Sequence, residues 1–262
     1  MTTSSVIARA GVLPVHREPN LRSERVTEMV LGETARVLES QGEWRRIKCD
    51  LDRYEGWIHR GYVLETDHEI ARGWRESAAG WSEGAVVRTD AGIVVRLPVR
   101  ARVGLAAPRV DLPDGSQGTV IAGSIVPYNR VVARAHGVTP DLWALRNFPG
   151  TPYQWGGVTP WGVDCSGLVQ TTFLARGIHL PRDASQQAGE GEPVEPGRER
   201  QGDLLFFSDR GGPITHVAIS GPAGTLVHST VALGGFVMEP WGPGSRAIVL
   251  RAQLVGIRRV SE

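Results

Sequence analysis

Through residue 135 the chain holds its apolar residues in short runs, each interrupted after a few residues by Gly, Pro, Asn or Asp. Runs of this length are typical of strands and are too short for the helices of a packed core. Segments such as VTEMVLGETARVLES, EWRRIKCD and EGWIHRGYVLE alternate apolar and polar residues between the turn formers. This half of the chain is therefore predicted to form many short antiparallel strands, closed into small β-barrels.

Two such barrels are predicted, one in residues 1–66 and one in residues 80–135. The polar stretch ETDHEIARGWRESAAG between them is interpreted as a linker. The second region has the same pattern of short apolar runs between turn formers, in AVVRTDAGIVVRL, ARVGLAAPRVDLP and DGSQGTVIAG. Asp114-Gly115 is a hairpin-turn dipeptide between two apolar segments. We interpret the second barrel as a diverged copy of the first.

From Thr139 onward the pattern changes to helices followed by strands. TPDLWALRNF predicts a short helix that Thr139 or Asp141 caps, and CSGLVQTTFLARG predicts a second helix with Gly177 at its end. Compact apolar runs then follow and are predicted to be strands: GDLLFFS, THVAISG, TLVHST, GGFVMEP, RAIVLRAQ and LVGIRRV. Helices before an antiparallel sheet make residues 139–262 an α+β domain.

The overall charge and composition exclude several classes of function. The formal charge is +1 and the basic residues form no run, so no nucleic-acid partner is expected. The N-terminal stretch has no continuous apolar segment like the core of a signal peptide. No stretch of the sequence reaches the roughly 18 apolar residues of a membrane helix. The two cysteines are far apart and are not expected to form a disulfide. We expect a cytoplasmic protein with no membrane partner.

Cys165, the first residue of the second predicted helix, is a candidate nucleophile. The unpaired N–H groups and the dipole of a helix start favour a thiolate there. His216 in ITHVAI and His228 in LVHST are predicted to lie on neighbouring antiparallel strands, joined by the turn at residues 221–224. Thiolate, imidazole base and a second polar group that orients the base are what acyl transfer requires. The Cys165 backbone N–H and the Tyr153 hydroxyl are candidate donors to the oxyanion.

Two other interpretations of these residues stay open at this point. A single Cys is often a small buried apolar residue, and a His on a strand is often a structural one. A zinc site of Cys165, His216 and His228 would lack a fourth ligand and the usual close ligand spacing. No phosphate-binding loop, dinucleotide fingerprint or Gly-x-Ser-x-Gly turn is present in the sequence. No cofactor and no metal are expected.

Four blocks occur in a characteristic order: GTPYQWGGVTPWGVDCSGLVQ, LPRDASQQ, GDLLFFS and THVAIS with LVHST. In this order they resemble the NlpC-type cell-wall cysteine peptidases, whose domain is a circularly permuted papain-like fold. The resemblance implies that Cys165 is the nucleophile, His216 the base and His228 the orienting third member. The first half resembles the bacterial SH3-like barrels of some of these enzymes.

The whole chain resembles the γ-D-glutamyl-L-diamino acid endopeptidases, which cut murein peptides that carry a free N-terminal L-Ala. The resemblance implies that Glu33 and Tyr54 bind the amine of L-Ala, although a turn carboxylate and a packing ring are the structural alternatives. It also implies that Asp164, which could instead cap the helix, lines the pocket, with Ala184 contributing through its backbone. The implied substrate-binding residues are Glu33, Tyr54, Tyr153, Asp164, Ser166, Asp183 and Ala184.

The resemblance leads us to expect a monomeric cytoplasmic enzyme that trims free murein peptides during cell-wall recycling. The third residue of its substrate would be meso-diaminopimelate or L-Lys. The alternatives are a wall-binding protein, which two SH3-like barrels in half of the chain would suit, and an exported hydrolase of intact peptidoglycan.

Overall fold

The computed structural model describes residues 4–209 and 211–261 of the chain. The chain divides into two compact units, with the boundary between Val131 and Val132. Within the described residues no helix is long and apolar enough to span a bilayer.

The first unit begins with a seven-stranded SH3-like sheet in which every pairing is antiparallel. Its strand order is β3-β2-β6-β5-β4-β1-β7. Alternate residues point inward, so that Val6, Leu13, Ile47 and Ile58 are fully buried in one core. The strands are β1 (Ser5–Ala8), β2 (Val12–His16), β3 (Arg25–Val30), β4 (Thr34–Gln41), β5 (Trp44–Cys49), β6 (Glu55–His59) and β7 (Val63–Thr66).

A second seven-stranded sheet follows in the same unit, with the order β10-β9-β13-β12-β11-β8-β14. The Asp114-Gly115 turn joins β12 to β13, as predicted, and Gly115 has a φ of 81° that suits glycine. The strands are β8 (Gly80–Ser82), β9 (Val86–Thr89), β10 (Val94–Arg96), β11 (Arg102–Ala106), β12 (Arg109–Asp111), β13 (Gln117–Ala122) and β14 (Ile125–Pro127).

The stretch between the two sheets, interpreted as a linker, folds as a helix, α1 (His68–Ser77), which the sequence did not predict. Asp67 caps it by accepting a hydrogen bond from the Ile70 N–H at 2.8 Å. One face of the helix packs on the first sheet, where Ala71 is buried and the Trp74 ring N–H donates to the Gly32 carbonyl at 2.9 Å. The helix was not predicted because most of its residues are polar and its apolar face is narrow.

The second unit places helices before a six-stranded antiparallel sheet of order β17-β22-β18-β19-β20-β21. The helix α2 (Tyr128–His136), which was not predicted from the sequence, includes the boundary between the units. The remaining helices are α3 (Pro140–Asn147), α4 (Cys165–Leu174) and α5 (Ala184–Gln187). The strands are the short pair β15 (Val158–Thr159) and β16 (Gly162–Val163), then β17 (Glu192–Pro193), β18 (Leu204–Ser208), β19 (Ile214–Ser220), β20 (Thr225–Thr230), β21 (Gly235–Pro240) and β22 (Leu254–Arg259).

The segment RAIVLRAQ is a 3-10 helix, Arg246–Gln253, and not the predicted strand. A short apolar run does not by itself distinguish a strand from a buried helix. Here Ala247 is buried while Val249 is 61% exposed, so the run has one buried side only. The Arg251 guanidinium donates to the Trp241 carbonyl at 2.9 Å and holds the segment against the end of β21.

The helix α4 is the centre of the second unit, because every one of its residues is buried. It packs on β19 and β20, with α3 beside it. A helix that is enclosed on all sides is mostly apolar, as Leu168, Val169, Phe173 and Leu174 are here. Its buried polar side chains need partners, and Thr171 Oγ1 donates to the Val158 carbonyl at 2.7 Å. The predictions of α3, of α4 and of five of the strands around α4 are confirmed.

Candidate active site

Cys165 is the first residue of α4, and its side chain faces the sheet. The residue is 8% exposed. The backbone N–H groups of Ser166 and Val217 donate toward its sulfur. Val217 follows His216 directly in β19, so the fold brings the thiol to the strand that carries the predicted base.

Asp164 holds the start of α4 through both oxygens of its carboxylate. Oδ1 accepts from the Gly167 N–H at 2.8 Å, so Asp164 caps the helix. Oδ2 accepts from the Gly156 N–H at 2.8 Å and from the Arg182 guanidinium at 2.6 Å. Ser166 joins the same network, because its Oγ accepts from Arg182 at 2.7 Å. The carboxylate thereby fixes the helix start that carries the nucleophile.

This carboxylate and the burial of the sulfur reverse our expectation of a stabilised thiolate. Burial, followed by the charge of Asp164, raises the pKa of Cys165 to about 12. The N–H of Val217, the charge of Arg182 and the N–H of Ser166 lower it, but by less. The helix dipole favours an anion, yet Asp164 already supplies one at this helix start. The free enzyme therefore holds a neutral thiol.

Alkylation of Cys165 by iodoacetamide is expected to accelerate by about tenfold per pH unit between about pH 7 and pH 10, since only the thiolate reacts. The second-order rate constant, measured by mass spectrometry of the labelled peptide, tests this. A Cys165→Ala protein, in which Cys49 is the remaining thiol, gives the background. A rate constant that stays level across this range would show that the thiol is already ionised at pH 7.

His216 and His228 lie on neighbouring antiparallel strands, as predicted. In β19 and β20, Ser220 pairs with Leu226. Residues two apart on each strand share a face, so both imidazoles point to the same side. His216 Nε2 lies 2.8 Å from His228 Nδ1, a hydrogen bond.

Glu239 and Arg246 extend this pair, and neither was among the predicted site residues. His228 Nε2 lies 2.9 Å from Glu239 Oε1. The Arg246 guanidinium pairs with both oxygens of Glu239, with Nε 3.1 Å from Oε2 and its terminal nitrogen on Oε1. The one signal in the sequence was an acidic residue in the strand-like run GGFVMEP, which follows the run of His228 across a short turn.

Burial keeps both imidazoles neutral near pH 7. Burial, the neighbouring His228 and the charge of Arg246 lower the pKa of His216 to about 3. Burial also lowers the pKa of His228, although the hydrogen bond and charge of Glu239 oppose the shift. A neutral His216 is able to accept a proton from a neutral thiol, which is the task of a general base.

The zinc interpretation of this site does not fit the geometry. His216 Nε2 and His228 Nδ1 bond to each other, and His228 Nε2 bonds to Glu239. Both nitrogens of His228 are thus engaged by protein groups and are not directed at a common metal position. Within residues 4–209 and 211–261 no cluster of His, Cys, Asp and Glu has the geometry of a metal site. Both cysteines are free thiols.

The other predicted binding residues of the second unit are Tyr153, Ser166, Asp183 and Ala184. Tyr153 is half-buried, and burial together with the charges of Cys165 and Asp164 raises the pKa of its phenol, which therefore stays protonated. Ser166 and Ala184 are buried, and Asp183 precedes α5 as a half-buried residue. Arg182, beside Asp183, was not among the predicted residues, although it carries the ion pair with Asp164. The contacts of these residues with substrate stay a prediction.

Glu33 and Tyr54 lie in the first unit. Glu33 Oε1 accepts from the Arg100 guanidinium at 2.7 Å, and Oε2 accepts from the Val30 N–H at 3.0 Å. The ion pair is almost fully buried. Tyr54 is half-buried just before β6, in the loop that follows β5. Binding of an amine by these two residues stays a prediction.

The α+β fold of the second unit and its thiol and imidazole groups are those of a cysteine peptidase. Residues 150–240 match the NlpC/P60 family, and residues 15–62 match the bacterial dipeptidyl-peptidase Sh3 domain. The chain is 30% identical over 219 residues to the gamma-D-glutamyl-L-lysine dipeptidyl-peptidase of Bacillus subtilis (strain 168), an alignment that covers 78% of this chain and 71% of the relative. The protein belongs to the NlpC/P60 family.

Two further comparisons extend over nearly the full length. Dipeptidyl-peptidase 6 of Lysinibacillus sphaericus is 27% identical over 256 residues, which are 88% of this chain and 89% of that protein. The crystal structure of an NlpC/P60 family protein from Bacillus cereus ATCC 10987 superposes with a TM-score of 0.78, covering 98% of this chain and 99% of that one. At 19% identity the structural likeness shows the shared fold alone. The predicted family, the SH3-like sheets and the cysteine peptidase activity are confirmed.

Proposed function

We propose that the protein hydrolyses the bond between γ-D-Glu and a diamino acid in murein peptides that have a free N-terminal L-Ala. One observation carries the proposal: a single alignment with a gamma-D-glutamyl-L-lysine dipeptidyl-peptidase runs over 78% of the chain. That span is longer than the peptidase segment alone, which supports a substrate site of the same kind. The amino acid after D-Glu would be meso-diaminopimelate or L-Lys.

The arrangement of the second unit supports acyl transfer through a thioester. The Cys165 sulfur attacks the γ-carbonyl carbon of D-Glu, and His216 takes the thiol proton as the carbon–sulfur bond forms. His216 then returns the proton to the amine of the diamino acid as the amide bond breaks, and water hydrolyses the thioester. The Cys165 backbone N–H at the start of α4 and the protonated Tyr153 hydroxyl are the proposed donors to the oxyanion.

Selectivity for a free amine would come from Glu33 and Tyr54. An ammonium beside a carboxylate and a phenol oxygen in a partly dry pocket is strongly favoured, whereas an acylated amine has no charge and adds bulk. Peptides with a free L-Ala are those already released from the glycan. A place in murein-peptide recycling is consistent with this selectivity, and a monomeric enzyme in the cytoplasm is part of the proposal.

Turnover of L-Ala-γ-D-Glu-meso-diaminopimelate is expected to exceed that of its N-acetylated form by about 10- to 100-fold in kcat/KM, the effect of one hydrogen bond to a charged group. Mass spectrometry of the products under reducing conditions measures both, and L-Ala-γ-D-Glu is the expected dipeptide. A Glu33→Gln protein should lose most of the preference, while an exposed Glu192→Gln protein should keep it.

Three outcomes would contradict this proposal. Equal turnover of the two peptides would show that Glu33 and Tyr54 do not select for a free amine. Faster turnover of intact sacculi than of free peptide would favour an exported wall hydrolase. Tight pelleting with sacculi without release of any dipeptide would favour a wall-binding protein.

A further inference from the structure

We propose that Glu239 is a positioning residue which, through His228, sets the proton positions that make Nδ1 of His216 the base for Cys165. The inference deepens the proposed function, on which its catalytic part rests. It starts from the unbroken line of hydrogen bonds from His216 through His228 to Glu239, which ends at Arg246.

The three side chains lie on one face of the sheet because of the strand register. His228 pairs with Val237 across β20 and β21, and Leu226 pairs with Glu239. Glu239 is therefore the diagonal neighbour of His228 on the face that Leu226 shares. The same face carries His216 on β19. An acidic side chain at this register position is aimed at the ring of His228 by the backbone itself.

The direction of the hydrogen bonds follows from the acceptor at the end of the line. An ionised carboxylate only accepts, so His228 must carry its proton on Nε2, which faces Glu239. A neutral imidazole has one N–H, which leaves His228 Nδ1 as an acceptor. The Nε2 of His216 must then carry the proton and donate to His228 Nδ1. The unprotonated nitrogen of His216 is therefore Nδ1.

The opposite direction would disable the base. If His228 carried its proton on Nδ1, it would donate to His216 Nε2, and the single proton of neutral His216 would sit on Nδ1. His216 could not then accept the thiol proton through that nitrogen. Glu239 excludes this arrangement, because a proton-free Nε2 of His228 would face the carboxylate with no hydrogen between two acceptors.

Arg246 keeps Glu239 in place as a carboxylate. It pairs with both oxygens, and its side chain is 43% exposed while that of Glu239 is 10% exposed and that of His228 is 1% exposed. The line therefore passes through the buried ring of His228 and ends at a solvated cation. When His216 becomes an imidazolium during the reaction, the same carboxylate stabilises the positive charge across His228.

The first test needs no substrate. In protein labelled with 15N-histidine, ring-nitrogen NMR at neutral pH distinguishes protonated from unprotonated nitrogens, and substitution of individual histidines assigns the signals among the seven in the chain. We expect the proton on Nε2 in both His216 and His228. A proton on Nδ1 of His228 would overturn the inference, whatever the substrate of the enzyme proves to be.

The second test uses two variants that separate the acceptor from the charge. Glu239→Met removes the acceptor at similar length, and we expect a fall in kcat of about 100-fold with little change in KM, together with Nδ1-protonated His228 in the NMR spectrum. Glu239→Gln keeps an oxygen that can accept, and its kcat should fall by about tenfold or less, a partial rescue. Glu192→Gln, an exposed glutamate of the same sheet, is the matched control.

A merely structural role predicts a different result. It would lower the melting temperature of the Met and Gln variants and leave the proton positions and the kcat of the folded fraction unchanged. That outcome would overturn the inference, and so would equal kcat values for the two variants. Absence of turnover of every murein peptide by the unsubstituted protein would count against the proposed function, and the NMR measurement would still decide the proton positions.

Discussion

Replacement of Cys165 by Ala is expected to lower kcat on the γ-D-glutamyl peptide by about 10⁴-fold or more, the scale at which an enzyme loses its covalent nucleophile. His216 and the donors to the oxyanion stay in place, so substrate binding should change little. The buried thiol leaves only a small void at the start of α4. The measurement is turnover of L-Ala-γ-D-Glu-meso-diaminopimelate at saturating peptide.

The matched control is the same substitution at the other cysteine. Cys49 is buried in the core of the first sheet, and Cys49→Ala removes a thiol of equal size. We expect that protein to retain its kcat and to unfold at a lower temperature. Full activity of the Cys165→Ala protein would exclude the covalent mechanism, and loss of activity in both proteins would point to a folding defect.

The sequence predicted the parts of the site that depend on local pattern. Apolar residues at helical spacing after Cys165 predict α4, and two histidine-bearing runs on either side of a Gly-Pro turn predict neighbouring strands. These predictions agree with the structure because α4 and the hairpin of β19 and β20 each depend on a short stretch of consecutive residues. The domain boundaries proposed from composition, 1–66, 80–135 and 139–262, stay a prediction.

The features that could not be predicted depend on contacts between distant residues. Glu239 meets His228 only through the register of β20 and β21, and Arg182 meets Asp164 across 18 positions of the chain. The pKa of Cys165 is raised because burial and Asp164 outweigh the start of the helix. The structures of α1 and of Arg246–Gln253 could not be predicted for a related reason. In each segment the secondary structure depends on which side packs against the rest of the protein, and the composition of the segment does not show this.

The ion pair of Arg182 and Asp164 leads to the largest expected effect on stability. Both side chains are almost fully buried, at 2% and 8% exposure, and their nitrogen and oxygen lie 2.6 Å apart. In the folded protein, burial lowers the pKa of the Arg182 guanidinium, but the charge and hydrogen bond of Asp164 outweigh it, so the pKa is raised. Removal of the cation would leave the Asp164 carboxylate buried without its counter-charge.

Substitution of Arg182 by Met, which is apolar and of similar length, is therefore expected to destabilise the second unit by about 3–5 kcal/mol. Asp164→Asn should cost a similar amount, although Asn can still cap α4. The double variant should cost less than the sum of the two, because it no longer isolates a single buried charge. Hydrogen exchange of the α4 amides, which are buried throughout, reports the free energy of opening for this unit.

Arg200→Met provides the control, since Arg200 is exposed in the same unit and its loss should change the free energy by less than about 0.5 kcal/mol. Additive effects of Arg182→Met and Asp164→Asn would show that the two charges are not coupled. The pair also connects stability to chemistry, because Asp164 bonds to the first turn of α4 while Arg182 holds Ser166 beside the nucleophile. A variant that loses the pair should therefore lose activity at temperatures where the unit is still folded, as the start of α4 frays before the sheet opens.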